Sequence, residues 1–363
     1  MLNRKIGLTA AVALYLALCS GCTSTYIRDN VLKQAASEGK IVADLHVHPN
    51  KVNSLEEICE TMSLGIIGLT RINGWENGKI GKKNSTIFIY EDAAKLEGFK
   101  EIDKDRLGSF TYTGKDGKER TGYVLRCQEL IEDGVGDAPG FHLLAVGCNS
   151  YVYDIKKDDV EVPLEEKFSR YVEAIHRRGG LAIYAHPYVL ADDGVTLFIL
   201  ATSGQREIIK ARARICDGIE SFNGMACYVP FVGNFNNGND MAHGLVSDVE
   251  KIGLSASDSH IALHNVYRCG IKFTLDENGV NWANIKETIT TGNFECVENY
   301  SSTFAYAIDN RRFALKALKR VPRSLVKKGW NLVTLVPRVI YNIVTCDGNK
   351  PDNDSNSNTS TGN

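Results

Sequence analysis

Ile41-Val42-Ala43-Asp44-Leu45-His46-Val47-His48-Pro49 decides how the rest of the chain is read. Residues 41–45 are mostly apolar and fit a buried strand, and a His-x-His pair stands at its end. Residues i and i+2 of a strand share a face, so His46 and His48 project together. Two imidazoles side by side on a rigid element make a chelate for a divalent cation. Two ordinary histidines near a strand end would look the same, and later segments decide for metal.

Working outward, Ser54 followed by Glu57 is a capping-box pattern for a helix that runs to about Leu64 and ends at Gly65. Ile66 to Thr70 reads as a second buried strand, and strand, helix, strand implies a parallel pair with a right-handed crossover. Residues 73–120 are polar, Gly-rich and charged, an inserted excursion with one short strand from Thr86 to Tyr90. Tyr123 to Leu125 resumes strand character and leads to Glu129. Phe141 to Gly147 is apolar, with His142 near its start. A helix over Glu165 to Arg178 closes at Gly179-Gly180. Leu181 to Ala185 is a strand that delivers His186. A helix near 203–214 precedes the strand Gly218 to Phe222. A helix over Asn239 to Ile252 precedes Leu254 to Ser257, which delivers Asp258 and His260. Trp282 to Thr290 is the last helix of the domain.

A strand with a metal-capable side chain at or past its end thus recurs at His46/His48, Glu129, His186 and Asp258/His260. In barrels of alternating strands and helices, functional groups gather at the C-terminal strand ends. The pattern predicts such a barrel with one metal basin. His176 reads as a solvated helix residue, His243 as a packing one and His264 as a surface or pocket-lining one.

The chain has 363 residues and a formal net charge of −2, so no global field points to nucleic acid. Arg4 and Lys5 precede an apolar run from Ile6 to Leu18, too short to span comfortably. Cys19-Ser20-Gly21-Cys22 follows, and this ending resembles a bacterial lipobox, with Cys19 in place of the usual Leu. Residues 1–21 then form a signal peptide, Cys22 is lipidated, and 22–40 is a tether; an uncleaved membrane anchor is the other reading. Both export the protein to the cell envelope and tether it to a membrane. Of ten cysteines, eight remain after Cys19 and Cys22, an even number that permits disulfides in an oxidising compartment. They show no spacing framework, and some read as buried small hydrophobes. From Asn310 to Cys346 there are nine Lys or Arg and no Asp or Glu. Residues 301–346 read either as a basic amphipathic membrane-surface segment or as a helix packed on the barrel. Residues 347–363 are Asn-, Ser- and Asp-rich and are expected to be disordered.

Four motifs occur in order: Asp44-Leu45-His46-Val47-His48, Tyr184-Ala185-His186-Pro187, Gly218-Ile219-Glu220-Ser221-Phe222-Asn223 and Ser257-Asp258-Ser259-His260. Together they resemble the PHP family, the polymerase and histidinol phosphatase domain, over roughly residues 41–300. The resemblance implies an α/β fold, a distorted seven-stranded β/α barrel holding two or three divalent metals, and phosphoesterase activity. It implies one metal site of His46, His48, Glu129 and Asp258 and another of Glu129, His142 and His186, bridged by Glu129. Glu220 matches a recurrent position without being marked as a ligand. Two departures stand out. Asn53 occupies the place of an acid beyond the His pair, and Thr70-Arg71-Ile72 stands where the family has Thr-Asp-His. Both missing groups belong to a third metal site. The expectation is therefore a two-metal enzyme (Zn, Mn or Fe), with Arg71 pairing with substrate phosphate. His260 is expected to be a phosphate contact, a proton donor to the leaving oxygen or a group behind the ligands.

Two cations can activate a water for in-line displacement at phosphorus. The expected function is hydrolysis of a phosphate ester, with a phosphorylated small molecule as one such substrate. A catalytically inactive PHP-like barrel that binds an anionic ligand is the alternative. A C–N hydrolase of amidohydrolase type fits less well, because no Lys stands out as a bridging ligand.

Overall fold

The structure is a computed structural model. It describes residues 27–50, 53–73, 87–135, 138–152, 162–188, 191–192, 195–196, 203–224, 237–260, 263–275 and 279–298. All of them fall in the first of two compact units, Met1–Lys319. The leader, Cys22, Cys227 and residues 301–363 lie outside the described residues.

After a helix over 27–37 (α1) come β1 Lys40–Val47, α2 Leu55–Met62, β2 Ile66–Asn73, α3 Tyr90–Ala93, β3 Phe99–Asp103, β4 Leu107–Thr113, β5 Glu119–Glu132 and β6 Phe141–Val146. Then follow α4 Leu164–Arg177, β7 Leu181–Ala185, a two-residue pair β8 Ala191–Asp192 and β9 Val195–Thr196, α5 Ser203–Ile215 and β10 Gly218–Asn223. The described chain ends with α6 Asn237–Val249, β11 Ile252–Ala256, β12 Gly270–Thr274, α7 Trp282–Thr291 and β13 Glu295–Val297. The Ser54 side chain caps α2 by accepting from Glu57 N, as the sequence predicts.

One sheet carries nine strands in the order β11-β10-β7-β6-β5-β2-β1-β12-β13, with β4 and β3 added beside β5. Its ends meet. Ser255 Oγ on β11 donates to the Val297 carbonyl on β13 at 2.7 Å, and His48 N donates to the Ser259 carbonyl at 2.7 Å. The result is a nearly closed barrel-like sheet. The expected seven strands are thus nine on the path. The expected parallel pair β1–β2 is present, and β2–β5, β7–β10 and β10–β11 are parallel as well. β6 runs antiparallel between β5 and β7, and β12 pairs antiparallel with β1.

Residues 73–120 also differ from the expectation. Ile87 makes an isolated bridge to Asn50 and a helical turn begins at Tyr90, so among the described residues, from Ile87 on, the expected strand is not formed; Thr86 lies outside them. Two unexpected strands, β3 and β4, extend the sheet instead. The three central residues of Phe99–Asp103 are exposed, so β3 carries no apolar alternation for the sequence to reveal.

Strand alternation sorts the core. Ala43, Leu45, Ile66, Cys127, Leu144, Val146 and Ile183 fill the inside of the barrel. Leu130, Phe141, Leu143 and Ala145 face outward against α4, α5 and α6. Gly68 is needed where β1, β2 and β5 converge, because a Cβ there would sit 2.4 Å from the Leu45 carbonyl oxygen and 2.8 Å from Cys127 Sγ. α7 closes one end with Trp282, Ile285 and Ile289. Trp282 Nε1 donates to the Gly179 carbonyl just before β7, so the end where β7 delivers His186 is the opposite one. Among the described residues six cysteines are free thiols, five of them buried.

Candidate metal centre

At that opposite end, β1 brings in His46 and His48 through an irregularity between Asp44 and Val47. β5 supplies Glu129. His142 comes from the first turn of the sheet into β6, and because β6 is antiparallel its start lies at the rim where β5 and β7 end. That is why His142 pairs directly with Ala185 of β7. His186 follows β7, and Asp258 follows β11. All six predicted ligands are brought together. His46 and His48 are 0% and 1% exposed, Glu129 2% and Asp258 6%.

His186 and Asp258 have φ of 26° and 51°, unusual for residues with a Cβ. Such conformations cost about 1–3 kcal/mol each and gather at functional sites.

Between His46, His48 and the two carboxylates the N···O distances are long for hydrogen bonds but suit ligation. His46 Nε2 lies 3.6 Å from Glu129 Oε1 and 3.4 Å from Asp258 Oδ1. His48 Nε2 lies 3.4 Å from Glu129 Oε2 and 3.5 Å from Asp258 Oδ1. Two ligand atoms about 2.1 Å from a tetrahedral cation are about 3.4 Å apart. Glu129 Oε2 faces His48, while Oε1 faces His46 and is 2.6 Å from His142 Nδ1 and 3.3 Å from His186 Nε2. One carboxylate thus faces histidines of both ligand sets expected from the sequence.

Four buried polar atoms of the cluster have no hydrogen-bond partner: His46 Nε2, His48 Nε2, His186 Nδ1 and Asp258 Oδ1. Buried polar groups are ordinarily satisfied, so four orphans in one cluster call for an ion. The donor set fits divalent metal. Four triads have ligand atoms within 4.8 Å of one another: His46/His48/Glu129, His46/His186/Asp258, Glu129/His142/His186 and His48/Asp258/His260.

Groups behind the ligands fix their tautomers. His48 Nδ1 donates to the Thr70 carbonyl at 2.9 Å, which leaves Nε2 for a cation. His46 Nδ1 lies 2.9 Å from Glu220 Oε1. Asp44 accepts from the backbone N–H groups of Ser257 and Tyr267, both at 3.1 Å, and so ties β1 to the segment that carries Asp258. Burial pushes Asp44 up to about 6. Sequence reasoning gave Asp44, Glu220 and Thr70 no role in the site. The signal available for Asp44 and Glu220 was an acid inside an apolar strand, since buried charges must be paired.

Arg71 departs from expectation, while His260 sits beside the ligands. His260 Nδ1 donates to the Asp258 carbonyl at 2.9 Å, and its ring sits 4.5 Å from that of His48. Burial, then the charge of His48, holds its imidazole down at about 4 in the metal-free site. Arg71 stands in register with Gln128, on the sheet face opposite Glu129. Its guanidinium lies 4.9 Å from the centre of the Tyr151 ring. That outward placement gives no support to a phosphate-pairing role. Asn53, in the place of the missing acid, accepts from Asn50 N and donates towards Glu57 at 3.5 Å.

Burial alone would lower His46, but the charges of Asp258, Glu220 and Glu129 hold it well above the ordinary imidazole value. The neighbouring carboxylates of Asp258 and Glu129 likewise outweigh burial at His48 and raise it. Burial pushes Glu129 up, yet His142 and His46 hold its carboxyl well below the usual range. Metal-free, the carboxylates favour the protonated form of His46 above all, and a cation must displace that proton. Titrating a divalent metal into the stripped protein at pH 7 is expected to release at least about one proton per chain. Affinity should then fall about tenfold per pH unit for each proton displaced as pH is lowered. Calorimetry in two buffers of different ionisation enthalpy measures the release; identical heats would contradict it.

No family model matches the chain, and no curated protein matches it. Among solved structures, PsfC from Pseudomonas syringae PB-5123 is 13% identical with a TM-score of 0.44, covering 77% of this chain and 99% of that one. A two-domain protein from Bacteroides vulgatus ATCC 8482, containing a predicted PHP-like metal-dependent phosphoesterase, is 14% identical with a TM-score of 0.39, covering 72% and 65%. A protein from Bifidobacterium adolescentis ATCC 15703, provisionally assigned as a metal-dependent phosphoesterase, is 12% identical with a TM-score of 0.31, covering 68% and 94%. Likenesses at this level leave function to be argued from the chain's own side chains.

Proposed function

We propose that the chain is a metal-dependent phosphoesterase with two divalent cations bridged by Glu129. The observation that carries this reading is the set of buried, unpartnered atoms His46 Nε2, His48 Nε2 and Asp258 Oδ1 beside that carboxylate. His46, His48, Glu129 and Asp258 would hold one ion, and Glu129, His142 and His186 the other. When bound, such a pair would supply Lewis acidity and a nucleophile at neutral pH for displacement at phosphorus. The mixed imidazole and carboxylate donors suit Zn, Mn or Fe. The phosphoester class rests on the order of the four sequence motifs.

The remaining residues bind and orient. Asp258 and Glu129 hold negative charge against the imidazoles. Thr70 and Glu220 keep the His48 and His46 rings turned so that Nε2 faces the basin. His260 is 39% exposed at its side chain, more than any of the six ligands, and meets an entering substrate. Arg71 is given no part. Export and tethering through Cys22, with residues 310–346 on a membrane surface, belong to the same proposal and are supported by the leader's composition and the basic run.

The outward Arg71 and the Asn53 contacts keep a second reading, an inactive barrel that binds an anionic ligand, as the competitor. Chelator-stripped protein is expected to regain hydrolysis of a chromogenic aryl phosphate with Mn, Zn or Fe, and His48→Ala to regain none. Absence of turnover with every metal would favour the binding module.

A further inference from the structure

Glu220 is 2% exposed and its two oxygens face three N–H groups. Oε1 is 2.9 Å from His46 Nδ1. Oε2 accepts from the backbone N–H of His186 at 2.9 Å and from Asn223 Nδ2 at 2.8 Å. The Asn223 amide also donates to Asp258 Oδ2 at 3.2 Å. Asn223 is itself anchored on α6, where Asn239 Oδ1 accepts from its backbone N–H at 3.0 Å. One carboxylate thus reaches three of the six proposed ligands: His46 through its ring, His186 through its strained backbone, and Asp258 through Asn223.

We infer that Glu220, acting with Asn223, is the positioning residue of the metal centre. It holds His46 as the Nδ1–H tautomer, so that Nε2 ligates. It also fixes the entry of His186 and the orientation of Asp258. The inference deepens the two-metal reading and rests on it. The hydrogen-bond inventory explains the residue type. A carboxylate accepts at both oxygens, whereas glutamine has one acceptor oxygen and an amide that faces at least one of the three donors. Partners behind a metal ligand set its tautomer and basicity, and removing one costs roughly 10–100-fold in metal affinity.

The test uses the full chain, stripped with chelator and titrated with Zn²⁺ against a chromophoric competitor. Glu220→Gln is expected to keep the circular dichroism of the parent and lose roughly 10–100-fold in Zn²⁺ affinity. Asn223→Ala should lose less, because it removes only the link to Asp258 and one donor to Glu220. In the parent, nitrogen-15 NMR of the Zn²⁺ form should show His46 protonated at Nδ1 and bound through Nε2. Parental Zn²⁺ affinity in a folded Glu220→Gln protein would overturn the inference. If that variant does not fold, the NMR decides alone: His46 bound through Nδ1 overturns it. A parent protein that takes up no Zn²⁺ would instead remove the metal reading underneath.

Discussion

Glu129→Ala is expected to lose both cations and to drop hydrolysis of an aryl phosphate by about a thousandfold or more, with the fold retained. The reasoning is geometric. Glu129 approaches histidines of both proposed sites, with Oε2 3.4 Å from His48 and Oε1 2.6 and 3.3 Å from His142 and His186, whereas Asp258 reaches His186 only at 3.9 Å. Removing the carboxylate leaves two incomplete imidazole sets and takes away the charge that holds the ions close together. Losing the metals forfeits several kcal/mol of transition-state stabilisation, and each 1.36 kcal/mol is a factor of ten. Elemental analysis and turnover on the same sample check both halves. Full activity with both ions retained would show that Glu129 is not the bridge.

Asp44→Ala is expected to have the largest effect on stability, although Asp44 touches no cation. It is 0% exposed and accepts from Ser257 N and Tyr267 N. Each buried N–H left without an acceptor costs about 1–3 kcal/mol, so the pair costs about 2–6 kcal/mol. That is a large share of the 5–15 kcal/mol typical of a whole domain. Ser257 directly precedes Asp258, so the loss should also loosen one ligand. Thermal unfolding in chelator should show the destabilisation without metal. An unchanged transition would mean that water replaces the carboxylate at both donors.

The site was more legible in the sequence than the fold. His46 and His48 could be paired because strand residues two apart share a face. His186 and Asp258 could be placed because each follows a short apolar run bounded by turn residues. Strand direction leaves no such mark. His142 was expected after a strand begins, yet only the antiparallel pairing of β6 with β5 and β7 explains why a residue at its start reaches the rim. Register is equally silent. Arg71 follows Thr70 directly and looked like a substrate group, but its pairing with Gln128 turns it outward to Tyr151. β3 leaves no alternation because its centre is exposed, and β4 leaves none because its buried residues, Leu107, Gly108 and Phe110, do not alternate. Asp44 and Glu220 lay in plain view as acids within apolar strands. Which backbone or ring nitrogens they satisfy depends on contacts across 213 and 174 residues of chain.

The central claim is that distant side chains converge to hold a pair of ions. Elemental analysis of protein stripped, reconstituted with excess Zn²⁺ or Mn²⁺ and desalted tests it most directly. About two ions per chain, reduced in His186→Ala, is the predicted result. Retention of no metal, or an identical count in His186→Ala, would contradict it.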